Sequence, residues 1–196
     1  MKVAAIVEGD GEVAALPILL RRLSEWRTRE RFVDVLQPIR IKRHKVLNRP
    51  DEFNRYLQLA ASKCGDGGWV LVLIDADDDC PAELAQKLLN DASARIPHRR
   101  VSVVLANREF EAWFIAAARS LDGVRGFALG ADDVPVAAEE PRDAKGWIRA
   151  RMAGGAYGVM TDQPGFTAHM SLEQAFQGSR SFRKLCTEWD RQMGSS

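Results

Sequence analysis

Trp69-Val70-Leu71-Val72-Leu73-Ile74, followed at once by Asp75-Ala76-Asp77-Asp78-Asp79, decides how this chain is read. Trp69 to Ile74 is continuously apolar with no polar alternation, the pattern of a strand covered on both faces at the centre of a parallel sheet. Gly65-Asp66-Gly67-Gly68 breaks the chain before it, and Pro81 opens a helix after it, through about Ile96, at the first-turn position that proline favours. Outward from this strand the pattern repeats. Residues 2–7 (KVAAIV) read as a short buried strand ended by Gly9 and Gly11, and residues 12–26 as a helix with Val13, Leu16, Leu19, Leu20 and Leu23 on one face. Pro17 lies inside that helix and leaves its start uncertain. Residues 32–41 read as a strand that Pro38 confines to an edge or a bulge, 51–63 as a helix, 100–105 as a strand and 109–121 as a helix. Four strand–helix alternations argue for an α/β fold with a central, mostly parallel sheet flanked by helices.

After Leu121 the periodicity fails. Residues 122–142 read as a long surface loop, and helical patterns return near 143–152, 168–176 and 180–191. The expected organisation is an α/β core over 1–121 and a loop with a helical extension over 122–196, packed back on the core. A chain of 196 residues with 46% hydrophobic and 28% charged residues is long enough for one ordinary core and too apolar to be disordered. Its longest apolar run is far short of the roughly 20 residues that cross a bilayer. Met1 to Val7 is basic then apolar, but Glu8 and Asp10 cut it short of a signal peptide. Cys64, Cys80 and Cys186 are isolated, which suggests a reducing compartment and a cytoplasmic protein. His44, His98 and His169 are isolated too, so no His-based metal site is expected.

The carboxylates are the informative residues. Glu8 follows the first strand and Glu12 lies one helical turn later; Asp75, Asp77, Asp78 and Asp79 follow the central strand; Glu109 and Glu111 follow the fourth. All three clusters therefore fall at the carboxyl ends of strands that share a sheet, the edge where open α/β sheets bind ligands. Gathered carboxylates repel one another and call for a cation, and an all-oxygen set without His or Cys suits Mg2+ or Mn2+. If the chain stays extended, Asp75 and Asp77 share a face and address one ion. Each cluster also has a plainer reading: Asp79 before Pro81 as a helix cap, Glu12 as a complement to a helix dipole.

Charge is unevenly spread. The net charge of +1 hides a segment, residues 21–49, with ten Lys and Arg against three acids; its +7 leaves −6 for the rest. Arg40, Lys42, Arg43 and Lys45 in that segment, with Arg180 further on, are candidates for contact with a phosphate backbone. An edge strand protected by charge is the competing reading.

Val3-Ala4-Ala5-Ile6-Val7-Glu8-Gly9-Asp10-Gly11-Glu12 and Val72-Leu73-Ile74-Asp75-Ala76-Asp77, in that order and in those strand contexts, resemble the Toprim domain of topoisomerases, primases, recombination proteins and OLD-family nucleases. Asn107-Arg108-Glu109-Phe110-Glu111-Ala112-Trp113-Phe114 is similar to a helix start in a family of small stand-alone bacterial Toprim-like proteins of unknown function, as are Tyr157 and Arg180-Ser181-Phe182. The resemblance implies a Rossmann-like Toprim fold. It implies that Glu8 is a general acid/base or metal ligand, that Asp75 and Asp77 hold Mg2+, that Glu12 supports a second ion, and that Glu111 is a further ligand. Lys145 corresponds to a downstream lysine of OLD-type nucleases and is a candidate for contact with the scissile phosphate. The implied activity is Mg2+- or Mn2+-dependent phosphodiester hydrolysis of nucleic acid, DNA before RNA. A separately encoded ATPase is the implied partner, in phage defence or DNA repair. The chain has no fused ATPase, topoisomerase tyrosine context or primase zinc ribbon. Two other readings stand beside this one: a non-catalytic, metal-binding regulatory partner of an ATPase, and a Mn2+-dependent nucleotide-sugar glycosyltransferase using Asp75 and Asp77.

Overall fold

In the computed structural model, residues 1–130, 133 and 137–194 are described. Five strands form one all-parallel sheet: β1 (Lys2–Val7), β2 (Asp34–Val35), β3 (Ile39–Arg40), β4 (Trp69–Asp75) and β5 (Arg100–Ala106). The order is β2-β1-β4-β5, with β3 continuing the β2 edge alongside β1. Between them run α1 (Asp10–Arg27), α2 (Arg43–Asn48), α3 (Pro50–Cys64) and α4 (Pro81–Arg95). Past β5 come α5 (Ala112–Ala116), α6 (Ala118–Leu121), α7 (Ala144–Arg149), α8 (Asp162–His169), α9 (Leu172–Gly178) and α10 (Arg180–Met193).

Strand alternation divides the core in two. Val3, Ala5 and Val7 of β1 and Leu71 and Leu73 of β4 join Leu16, Leu19, Leu20 and Leu23 of α1 on one face. Ala4, Ile6, Val70, Val72 and Ile74 join Phe53 and Leu57 of α3 and Leu88 of α4 on the other. The first core also takes in Phe127, Phe166, Phe182 and Trp189, so the segment beyond Leu121 packs on the sheet and completes one face. No helix is long and apolar enough to cross a membrane among the described residues.

Four elements differ from expectation. The strand expected over 32–41 is two short pieces, because Pro38 has no N–H for the ladder; both pair only with β1, at the sheet edge. α2 is an additional helix in what reads as basic loop. The helix expected over 109–121 starts only at Ala112 and breaks at Ala117, leaving Glu109-Phe110-Glu111 as a turn. The pattern over 168–176 is the end of α8 and most of α9, whose N-cap Ser171 accepts a hydrogen bond from Gln174 N. Of the loop expected over 122–142, positions 131–132 and 134–136 lie outside the described residues, as do 195–196.

Ser102, wholly buried in β5, joins the last helix to the sheet. Its hydroxyl donates to Glu188 Oε2 (2.7 Å) and lies 3.1 Å from Trp69 Nε1 and 3.3 Å from Gln192 Nε2, both donors. Ser102→Ala leaves the indole N–H and a buried carboxylate short of a partner, a loss of about 1–3 kcal/mol. Urea unfolding is expected to show a lower midpoint with an unchanged slope.

Candidate active site

The carboxyl edge of the sheet gathers the acids. Glu8 follows β1 directly, Asp75 closes β4, and Glu109 and Glu111 sit in the turn after β5. β1, β4 and β5 are adjacent and parallel, so their ends are brought together by the ladder itself.

Glu12 does two jobs at the start of α1. Its Oε2 accepts from Gly9 N, closing the helix N-terminus, and its Oε1 accepts from Gln163 Nε2 of α8 at 3.3 Å. Gly11 is needed for that contact, because a Cβ there would lie 2.8 Å from the Val159 carbonyl and overlap Gln163. The Glu-Gly-Asp-Gly-Glu run is thus shaped by the close approach of α8 as well as by its carboxylates.

Asp75 is held by Phe110 N, which donates to its Oδ1 at 2.8 Å, and its Oδ2 lies 3.9 Å from Lys145 Nζ. Glu111 is fully buried; Tyr157 donates its hydroxyl to Oε1 at 3.1 Å, and Oε2 lies 3.1 Å from Lys145 Nζ with no aligned hydrogen bond. Glu109 accepts from Lys145 Nζ (3.2 Å) and from Lys145 N (2.9 Å) at the start of α7. Lys145 is therefore set among Asp75, Glu109 and Glu111. Burial works against its charge, but Glu111, Asp75 and Glu109 together hold it above the ordinary lysine range.

The carboxylates are under strain of charge. Glu8 is pushed up to about 6, first by burial and then by Asp77, with Arg43 opposing; its Oε2 is buried without a hydrogen bond. Asp75 is raised well above its ordinary value by burial and by Glu12, Glu111 and Glu8, against Lys145. Glu111 is raised by burial, with Lys145 again opposing. Burial and the Glu111 carboxylate push the Tyr157 phenol up, so it stays a donor.

Asp77 departs from its expected placement. β4 ends at Asp75, and Asp77 takes a left-handed backbone (φ 49°), so the two do not lie in register on one extended face. Asp77 Oδ2 instead meets Arg43 Nε at 3.1 Å. Arg43 also donates to Asp79 Oδ2 (2.6 Å) and to the Ala76 carbonyl (3.0 Å), so it fastens α2 to the turn after β4. Arg40 pairs with Asp10 at 3.1 Å and donates to the Glu8 carbonyl; Lys45 pairs with Glu52 at 2.5 Å; Lys42 occupies the N-cap position of α2 with no side-chain cap bond. Arg180 begins α10, away from these residues in the chain, and makes no ion pair among the described residues.

The basic segment 21–49 does not form one patch. Its first half goes to the far end of α1, where Arg27 Nε donates to Asp190 Oδ1 (2.7 Å) and Arg31 donates to the Met193 carbonyl. Only its second half reaches the acidic edge.

Sequence reasoning missed Arg108, Arg142 and Gln163 and gave Tyr157 no role. Arg108 and Arg142 both pair with Asp78, at 2.7 and 3.4 Å. Arg108 stands directly before Glu109, which is the only local signal that could have found it.

Donor type and charge fit a hard divalent cation: oxygen ligands only, two buried oxygens without hydrogen bonds, and three carboxyls resisting ionisation. The spacing is less complete. Among the described residues no three His, Cys, Asp or Glu side chains stand as a ready metal-binding group. Lys145 holds the ground between Asp75, Glu109 and Glu111.

Residues 7–189 match the model of a family described as a domain of unknown function (DUF4276), and the chain belongs to that family. No curated protein and no solved structure matches it.

The raised carboxyls fix a pH dependence. Between its ordinary value of 4.5 and about 6, Glu8 keeps a proton in the folded chain that the unfolded chain has released. Stability therefore falls as pH rises through that window, and the upward shifts of Asp75 and Glu111 act with the same sign. Glu8→Gln removes one share of the cost. Its melting temperature in metal-free buffer is expected to exceed wild type at pH 7, with the gap closing near pH 4.

Proposed function

We propose that this member of the DUF4276 family is a Toprim-like, Mg2+- or Mn2+-dependent phosphodiesterase acting on nucleic acid, DNA before RNA. The observation that carries the reading is the placing of Glu8, Asp75 and Glu111 at three adjacent strand ends, where burial first and neighbouring carboxylates second resist their ionisation. Asp75 and Glu111, with Glu8 or Glu12, would hold the ion, and Asp77 would need to leave Arg43 to join them. The ion would stabilise the charge that builds on the phosphate and favour ionisation of an attacking water.

The chain's own residues supply the rest. Glu8, titrating near 6, is an effective proton acceptor at neutral pH while still able to return the proton to a leaving oxygen. Lys145 stays ammonium and is placed to meet phosphate oxygens once its carboxylates have another cation. Tyr157 fixes the orientation of Glu111, and Gln163 that of Glu12. Lys42 offers a basic approach on the β3–α2 side, whereas Arg40 and Lys45 would have to leave Asp10 and Glu52 to join it, and Arg43 is committed to the turn after β4. A separately encoded ATPase and a role in phage defence or DNA repair belong to the proposal through the Toprim resemblance alone.

The absence of a ready three-ligand group favours a second reading: an ion cluster centred on Lys145 that is structural, in a non-catalytic partner protein. The glycosyltransferase reading has no comparable support, since Asp77 turns from Asp75 toward Arg43.

Two measurements separate them. Mn2+ is expected to raise the melting temperature of wild type by several degrees, an effect lost in Asp75→Asn and Glu111→Gln. Supercoiled plasmid with Mg2+ or Mn2+ is expected to be nicked, with a loss of at least 100-fold in Glu8→Gln. Stabilisation without cleavage of DNA or RNA would leave a metal-binding partner, and neither effect would leave the structural cluster.

A further inference from the structure

A groove of about 500 Å3 runs along the open edge of the sheet, beside β5 and between α4 and α10. Its floor is apolar: Val103 and Leu105 of β5, Ala85 and Leu89 of α4. Its upper end is formed by Cys80 and Asn107, and these are the chain's exits from the turns that carry Asp75 to Asp79 and lead to Glu109. The groove therefore opens at the same carboxyl edge as the acidic cluster and has no part in it.

Of the charges on its walls, two pair with each other, one carboxylate is held by hydrogen bonds alone, and one guanidinium has no partner among the described residues. Lys184 pairs with Glu188 at 2.7 Å. Glu139 accepts from Ser179 Oγ (2.7 Å), Ser181 N (2.8 Å) and Asn107 Nδ2 (3.2 Å), and these bonds hold its carboxylate below the ordinary range in spite of burial. Arg180, exposed on the first turn of α10, makes neither an ion pair nor a side-chain hydrogen bond among the described residues. The combination is a slot of the volume of a small organic ligand, apolar below, with amide, hydroxyl and hydrogen-bonded carboxylate groups on its wall and an unpaired guanidinium at the rim. That chemistry suits a ligand with a flat, weakly polar body and a single anionic group, and guanidinium is well matched to phosphate.

We infer that the groove beside β5 is a nucleotide subsite, which takes the base of an unpaired nucleotide against Ala85, Leu89, Val103 and Leu105 while Arg180 takes its phosphate. The inference rests on the phosphodiesterase reading for its choice of nucleotide over other anions, through the continuity of groove and acidic edge. It narrows the substrate to unpaired nucleotides, at strand ends or where negative supercoiling opens a plasmid, because a base within a duplex cannot enter a slot between two helices.

Cys80 makes the groove observable. It is exposed at the mouth, whereas Cys64 and Cys186 are buried, and burial pushes the Cys186 thiol up to about 12. Maleimide therefore labels Cys80 first in the folded protein. In buffer with EDTA, dAMP, dCMP, dGMP or dTMP is expected to slow that labelling at least fivefold, while deoxyadenosine and inorganic phosphate, the two halves of the ligand, do so weakly. By calorimetry, Arg180→Gln, a surface change, is expected to weaken binding about tenfold, and Ala85→Trp, which fills the slot, to abolish it. No protection and no binding heat with any of the four nucleotides overturns the inference. So does undiminished binding in Arg180→Gln, or a dimer that Ala85→Trp converts to monomer, which would assign the groove to a second copy. The assay uses neither metal nor hydrolysis. Binding without plasmid nicking leaves the groove standing and the activity refuted; nicking without nucleotide binding does the reverse.

Discussion

The ammonium of Lys145, within 3.1–3.9 Å of Glu111, Glu109 and Asp75, is the contact on which the architecture of the site depends. It is supplied from α7, in the segment beyond Leu121, and it meets carboxylates from the ends of β4 and β5. Burying two or more carboxylates with no counter-charge is prohibitive, whereas a buried pair with good geometry is tolerable. The sheet therefore cannot collect its acids at one edge without the later segment folding over them. The same segment brings Tyr157 to Glu111 and Gln163 to Glu12, so two of the acids acquire their orientation from residues more than forty positions away. Ser102 and Trp69 fix the far end of that segment through Glu188 and Gln192.

How much of this was legible depends on the range of the interaction. β1, β4 and α4 could be read because their apolar runs and punctuating Gly and Pro are local, and the packing on both faces of the sheet agrees with them. The edge position of residues 32–41 followed from Pro38 for the same reason. The acids at the strand ends were visible as soon as the strands were. Their neutralisation was not, because it comes from Lys145, in a short helix with weak periodicity, and their orientation comes from Tyr157 in irregular chain and Gln163 in α8. The charge of residues 21–49 misled for a related cause. A sum over sequence ignores that α1 carries Arg27 and Arg31 to the opposite end of the sheet, where Asp190 and the Met193 carbonyl receive them. α2 was missed because Arg43-His44-Lys45 has no apolar stripe; what anchors it is Arg43, bonded to the turn after β4.

Backbone geometry explains why Asp75 and Asp77 part company. Asp77 (φ 49°) and Arg108 (φ 67°) are both left-handed without being glycine, a conformation that costs roughly 1–2 kcal/mol per residue. The two residues face each other across the turns after β4 and β5. Asp77 N donates to the Arg108 carbonyl at 3.0 Å, Arg108 Nη1 donates to the Asp77 carbonyl at 3.1 Å, and the same guanidinium pairs with Asp78 at 2.7 Å. Strained residues persist when several bonds over-determine them. Here those bonds unite the turn that positions Asp75 with the turn that positions Glu109 and Glu111, and Phe110 N completes the union by donating to Asp75 Oδ1. The acids of β4 and β5 are thus held as one rigid set. Glu8, with an unpartnered oxygen and no side-chain hydrogen bond of its own, is the member of the cluster least constrained by its neighbours. Under the proposed chemistry that is a division of labour, with the fixed set of β4 and β5 acids to hold an ion and the unpartnered Glu8 carboxylate to exchange the proton.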